Sequence, residues 1–214
     1  MKAVCLDMDG VLVDSEHYWV PLENEELLPE VVPDQDAAAE EITGMNYREI
    51  YDYLDDNYET AVSRREFLGL FDDAASEIFG KRTDLLPGFR KLAARLREEG
   101  VDLALVTSSP PSWIEIVFDR FDLHDEFDAV VSADELASPG KPEPDVYLHA
   151  ADELGVDPEK CLAVEDSSHG IEAAHRAGMD VMGFRFNGEP GDGPADVYVE
   201  TPEELREVVL HEVE

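Results

Sequence analysis

Lys2-Ala3-Val4-Cys5-Leu6-Asp7-Met8-Asp9-Gly10-Val11 is the stretch from which the fold can be read. The apolar run through Val4 and Leu6 reads as a buried parallel strand, and Gly10 lets the backbone turn sharply away from the sheet. Two carboxylates therefore stand where the strand ends. In a doubly wound sheet the carboxyl ends of the strands form the ligand crevice, so acids at this point indicate chemistry before solubility. Alternation along a strand puts Asp7 and Asp9 on one side and Met8 on the other. Two acids sharing a side repel unless a cation or a proton lies between them. A solvated strand end with a turn aspartate is the plainer alternative, to be weighed against the rest of the chain.

Downstream, Val11 to Ser15 leads out of the strand, and from about Glu16 to Phe79 the patterns are helical. Leu22, Leu27 and Leu28, then Ile50, Tyr51 and Leu54, then Phe67, Leu68, Leu70 and Phe71 recur at helical spacings, separated by Pro29, Pro33 and Gly44. An all-helical insertion that begins directly after the two acids would stand over the strand ends as a lid. Gly80 and Pro87-Gly88 mark its return. From Phe89 the rhythm becomes helix and short apolar strand in alternation, as in a parallel sheet with crossover helices. Helices are expected at Phe89 to Glu99, Pro111 to Phe121, from near Glu143 with Pro144 in the first turn, from Ser167-Ser168 to Ala177, and at Pro202 to Leu210. Strands are expected at Val101 to Val106, Ala129 to Val131, Cys161 to Val164, Val181 to Phe184 and Val197 to Val199. The glycine-rich stretch from Gly188 to Gly193 follows no strand-to-helix fingerprint and reads as a surface turn.

The 214 residues suit one domain or a domain with a sizeable insertion, and an apolar content of 43% is ample for a core. No signal-peptide pattern or long apolar stretch occurs, so a cytoplasmic protein is expected. Against 52 Asp plus Glu stand 16 Lys plus Arg, a net charge of −36 that is spread along the chain and would repel nucleic acid and anionic membrane. This bias reads as adaptation to high salt, where screening removes most of the self-repulsion. Cys5 and Cys161 fall in core strands and make no zinc pattern, so buried free thiols are expected.

Right-handed crossovers bring the C-terminal strand ends to one edge. That edge gathers Asp7, Asp9, Thr107, Ser108, Lys141, Glu165 and Asp166. Four carboxylates together need a counter-charge, and a hard divalent ion with oxygen ligands fits, Mg2+ needing few carboxylates when a phosphate and waters complete its octahedron. Taken singly, Thr107 could cap a turn, Lys141 could be a solvated loop cation and Glu165-Asp166 a helix N-terminal pair. Their joint presence on one edge favours a site.

With these residues assembled, the chain resembles the haloacid dehalogenase superfamily in its phosphatase and phosphomutase branch. The resemblance rests on Asp-x-Asp-Gly-Val at 7 to 11, the strand ending in Thr107, Gly140-Lys141-Pro142 before a helix, and Glu165-Asp166-Ser167 with Gly170, and it covers Val4 to about Gly178. It implies an α/β fold, a Rossmann-like parallel sheet core formed by residues 1–15 and 81–214 with a helical cap formed by residues 16–80. By the same resemblance Asp7 is the nucleophile that becomes an aspartyl-phosphate and Asp9 the general acid/base. Thr107 and the Ser108 amide hold phosphoryl oxygens, and Lys141 neutralises charge. Mg2+ is held by Asp166 with help from Glu165, by the Asp7 carboxylate and by the Asp9 backbone carbonyl. A second acid at Asp9 fits phosphoryl transfer and disfavours the dehalogenase branch. Asp14 and Ser15 are assigned a hinge or turn. Trp19 and Tyr47 could line a cap pocket or simply be core, while His169 and His175 read as surface or packing residues, with His169 close enough to the acids to reach substrate.

A Mg2+-dependent phosphatase acting on a small phosphorylated metabolite, phosphoglycolate or a sugar phosphate by resemblance, is the leading expectation. A phosphosugar mutase of the β-phosphoglucomutase type is the alternative. It must grip a second phosphate, for which the cap offers Arg48, Arg64 and Arg65, Arg48 being the best placed. Phosphonate cleavage through a cap lysine is disfavoured, because no lysine lies between Glu16 and Gly80. A catalytically silent metal-binding or interaction protein is a third reading. Oligomeric state is left open, a monomer included.

Overall fold

The computed structural model describes residues 1–33, 37–42, 45–185 and 192–213. Six parallel strands, β1 (Ala3–Leu6), β2 (Asp102–Thr107), β3 (Ala129–Ser132), β4 (Cys161–Glu165), β5 (Asp180–Phe184) and β6 (Val197–Val199), form one sheet in the order β3-β2-β1-β4-β5-β6. Chain direction across the sheet reverses at β1, where such folds open a crevice. Register aligns the central ends: Leu6 pairs with Leu105 on one side and Val164 on the other.

Both faces of the sheet are covered, and the residues sort by size between them. Val4, Leu6, Leu103, Leu105, Leu162 and Val164 point into the core that includes helices α5 (Phe89–Glu99), α6 (Pro111–Phe121) and α9 (Pro202–Val213). Ala3, Cys5, Ala104, Cys161 and Ala163 face α7 (Asp145–Leu154) and α8 (Ser168–Arg176), which answer with Ala150, Ala151, Ala173 and Ala174. Small residues on both sides let these two helices lie close to the sheet, and each fully buried large side chain on the other face contributes about 1.5–3 kcal/mol. Both cysteines are free and buried, as expected.

Strand positions agree with the sequence expectation to within a residue at each end. Helix α7 begins later than expected, at Asp145, with Pro144 at the N-cap position instead of in the first turn. Helix α9 runs on to Val213. Gly44 and Gly188 lie outside the described residues. Among the described residues no helix is long and apolar enough to cross a membrane.

Between β1 and α5 the regular elements among the described residues are helices, without a strand, the α-helices being α1 (Glu16–Leu22), α2 (Leu28–Val31), α3 (Tyr47–Asn57) and α4 (Arg64–Glu77). Pro29 does not separate helices as the sequence suggests. A π-helical turn at Glu23–Leu27 joins α1 to α2, and Pro29 sits in the first turn of α2, where a missing amide is tolerated. The two connections to this helical unit run side by side, with Leu86 donating to the Leu12 carbonyl at 2.8 Å and Asp14 to that of Asp84 at 3.2 Å. One hydrophobic core continues from the sheet into the unit: Trp19 packs on Phe71, Phe79 and Trp113 at centroid distances of 5.4 to 6.0 Å.

Candidate active site

Lys141 is the hub of the strand-end cluster. Its Nζ donates to Asp7 Oδ1 at 2.7 Å, Glu165 Oε1 at 2.5 Å and the Val106 carbonyl at 3.1 Å. The Tyr147 hydroxyl, in the first turn of α7, donates to the same Glu165 oxygen at 2.5 Å, and Ser167 donates to the other at 3.2 Å. Lys141, Glu165 and Tyr147 are all buried. Burial works against the Lys141 charge, but Asp7 and Glu165 outweigh it and hold the ammonium above its ordinary range. Burial also pushes Asp7 up to about 8, against the lowering effect of Lys141 and with Glu165 and Asp9 adding repulsion.

Asp9 is fixed from two sides. Ser15, at the entry to α1, donates to Oδ1 and Ser109, beyond β2, to Oδ2, each at 2.7 Å. Burial raises the Asp9 pKa, and the serine donors only partly offset it. Thr107 Oγ1 accepts from the Ser109 amide at 3.0 Å, which curls the backbone after β2 around the cavity. The buried Ser108 Oγ has no hydrogen-bond partner, and Ser108 lines that cavity. A buried hydroxyl left this way is poised to bond a ligand.

Asp166 completes the acid group. One carboxylate oxygen from each of Asp7, Glu165 and Asp166 lies within 4.8 Å of the others. Two glycines make room for these acids. Gly10 adopts a φ of 72°, and a Cβ there would strike the Asp166 carboxylate; a Cβ on Gly170 would strike that of Glu165. Burial, then the charge of Glu16, drives the Asp166 pKa well above its usual value. An all-oxygen donor set in which burial pushes the Asp7 and Asp166 carboxyls upward fits a hard divalent cation. Within it Glu165 has both oxygens engaged by Lys141, Tyr147 and Ser167, so its contact with an ion is the weaker part of the expected ligand set.

Above these residues lies a cavity of about 90 Å³ shared by the strand ends and the helical unit. Trp19 and Tyr47, expected as pocket or core, are both: each is buried and each lines the cavity. Arg48 is not brought there. Its Nε donates to Asp134 Oδ1 at 2.5 Å and its guanidinium lies over the Tyr47 ring, because the start of α3 faces the end of β3. Neither His169 nor His175 lines the cavity, and His175 is exposed.

Besides Ser109 and Trp113, sequence reasoning missed four residues. Glu16 and Glu23 line the cavity from α1 and the turn after it, and burial, followed by repulsion from Asp9 and Glu23, pushes Glu16 up to about 8. Their i, i+7 spacing, with Trp19 between, was the available signal. Asn46 caps α3 by accepting from the Arg48 amide at 2.9 Å and donates across to the Ser108 carbonyl at 3.1 Å. Tyr147 gave no signal beyond an apolar helix position.

Comparison with known proteins shows the family. Residues 1–178 match the haloacid dehalogenase-like hydrolase family. Hexitol phosphatase B of Escherichia coli (strain K12) is 35% identical over 83% of this chain and 80% of its own, and β-phosphoglucomutase of Bacillus subtilis (strain 168) is 33% identical over 99% and 95%. The crystal structure of CbbY from Rhodobacter sphaeroides in complex with phosphate shares the fold, with a TM-score of 0.78 at 24% identity over 96% of each chain. The strand-end acids, the buried lysine and these similarities together make the chain a member of the haloacid dehalogenase-like hydrolase family and a phosphatase-type enzyme.

Proposed function

We propose that the chain is a Mg2+-dependent phosphatase that hydrolyses a small-metabolite monoester, phosphoglycolate or a sugar phosphate, through an aspartyl-phosphate on Asp7. The observation that carries this reading is the placement of Lys141 between Asp7 and Glu165, with Asp9 held beside them by Ser15 and Ser109. The names of the Escherichia coli and Bacillus subtilis relatives support a phosphorylated carbohydrate.

Asp7 attacks phosphorus in line, forming the acyl-phosphate bond as the bond to the leaving alcohol breaks. Asp9, its pKa raised by burial, gives its proton to the leaving oxygen. It then takes a proton from water, which attacks phosphorus and frees Asp7 with release of inorganic phosphate. Thr107 and the Ser108 amide hold the phosphoryl oxygens while Lys141 offsets their charge. Asp7, Asp166 and the Asp9 carbonyl would hold Mg2+, with Glu165 in support, and the ion would supply positive charge to the phosphoryl group and favour ionised Asp7. Residues 16–80 act as a cap over the core of residues 1–15 and 81–214, admitting substrate and then excluding water. The net charge of −36 supports adaptation to high salt and opposes nucleic-acid or anionic-membrane partners, and two free thiols fit a reducing cytoplasm.

Phosphate release from a panel of monoesters in molar KCl, with Mg2+ or EDTA, tests the reading. Mg2+-dependent release that Asp7→Asn abolishes is expected; release that persists in this variant would refute the assigned nucleophile. A mutase would instead interconvert hexose phosphates with a bisphosphate primer, and the pairing of Arg48 with Asp134 weighs against it.

A further inference from the structure

A row of aromatic side chains leads from Asp9 to the protein surface. Beside the two serines, the Trp19 indole donates to the Asp9 carboxyl, and Trp19 stacks on Trp113 at a centroid distance of 5.4 Å and an interplanar angle of 23°. Trp113 belongs to α6, a helix of the sheet core, yet its indole stands among rings of the helical unit, with Tyr47 at 4.8 Å and Phe79 at 5.9 Å. Its Nε1 donates to Asp72 Oδ1 of α4 at 2.9 Å. Trp113 is buried and lines the cavity, whereas Asp72 is exposed and stands outside the lining. One indole therefore spans from the cavity to a surface carboxylate between α6 and α4. An indole N–H can only donate, so its bond to Asp72 fixes which way the ring lies.

Resting on the phosphatase reading, we infer that Trp113 is a specificity-determining residue that ends the cavity on the side of α4 and α6 and so limits the length of the group esterified to the phosphate, with Asp72 as the positioning residue that holds the indole across the opening. In the proposed mechanism Asp9 protonates the leaving oxygen. The esterified chain thus starts beside Trp19 and runs along its ring toward Trp113. A chain that reaches the indole can go further only by displacing it, which breaks the bond to Asp72 and the stacking on Trp19 and Tyr47. The limit is one of length, independent of the charge or hydroxyl pattern of the chain.

Phosphate release from n-alkyl monophosphates of two to eight carbons, in molar KCl with Mg2+, tests this, since length alone changes along the series. For the wild type, kcat/KM should hold or rise with length and then fall by about tenfold at the methylene that first meets the indole. Trp113→Ala should move that fall at least two carbons further along the series. Asp72→Ala, which keeps the lining but frees the indole, should move it in the same direction, and Asp72→Asn, whose amide oxygen still accepts, should restore the original limit. Should Trp113→Ala not fold, the two Asp72 variants carry the test. A wild-type profile without a fall, or a fall at the wild-type length in either alanine variant, overturns the inference while leaving the phosphatase reading intact. If neither the series nor p-nitrophenyl phosphate releases phosphate, that reading falls. Calorimetric titration of the wild type and of Asp72→Ala with the same esters then decides the inference by itself: an affinity that drops at one chain length, and at a greater length in the variant, supports it, and a drop at the same length in both, or in neither, overturns it.

Discussion

Tyr147 shows how one side chain outside the reacting group can set its geometry. Its hydroxyl and the Lys141 ammonium converge on a single oxygen of Glu165, so Tyr147 helps fix the carboxylate that holds the lysine against Asp7. Tyr147→Phe keeps the ring that packs in the core and removes only the donor. A hydrogen bond to a buried charged group is worth about 1.5–3 kcal/mol, so the urea midpoint should fall accordingly. Because Tyr147 is argued to act through Glu165 and Lys141, kcat should drop several-fold with KM little changed, and the alkaline limb of the pH profile should shift. A stability loss with an unaltered profile would reduce Tyr147 to a packing role. Asp7, Asp9, Thr107, Lys141, Glu165 and Asp166 were legible in the sequence because each follows a recognisable strand or loop, and parallel strands must end on one edge. Tyr147 was not, since a tyrosine at an apolar helix position looks the same whether or not its hydroxyl meets a charge.

At the scale of elements, helix α3 is tied to the core at its N-terminus by three groups in succession. Asn46 reaches the Ser108 carbonyl, Arg48 reaches Asp134, and Glu49 accepts from the Gly140 amide at 3.4 Å. Ser108 and Lys141, next to Gly140, form the phosphoryl end in the proposed mechanism, so α3 would brace both loops that hold it. Asn46→Ala removes the helix cap and the brace together. Loss of the cap should cost about 1 kcal/mol in thermal or urea unfolding, and loss of the brace should raise KM for any phosphoester. Asn46→Ser restores a cap without the reach to Ser108, so it should recover stability and leave KM raised; recovery of both would show that the cap alone matters. The helical insertion itself was legible from periodicity between Glu16 and Phe79. Where its helices meet the core was not, because Asn46, Glu16 and Glu23 gain their roles only when α1 and α3 are packed over strand ends distant in sequence. Arg48 illustrates the converse: a cation at a plausible cap position is drawn to Asp134, an acid 86 residues away.

Across the whole molecule, charge governs stability at two ranges. With 52 acidic residues against 16 basic ones, repulsion between exposed carboxylates is long-ranged in dilute buffer, where the Debye length is about 30 Å at 0.01 M, and short-ranged at about 3 Å in 1 M salt. The urea midpoint should therefore rise steeply from low to molar KCl, and equal midpoints would count against adaptation to salt. Buried carboxyls act by a different route that KCl does not screen. Asp7 and Glu16, ordinarily near 3.8 and 4.5, are both held near 8 by burial and by neighbouring acids. Between about pH 4 and pH 8 the folded protein thus binds more protons than the unfolded chain, and the linkage relation gives a stability that falls as pH rises through this window. Their contribution is complete below the unfolded values and lost above pH 8, where the folded state must ionise acids that face one another. A divalent ion bound by Asp7 and Asp166 would supply the missing positive charge, so its benefit should be greatest where the protons have gone. The expected result in molar KCl is a melting temperature that declines from pH 5 to pH 8.5 in EDTA, with Mg2+ restoring little at pH 5 and much at pH 8.5. A Mg2+ increment independent of pH, or absent at both, would mean that the strand-end acids do not bind the ion in exchange for protons.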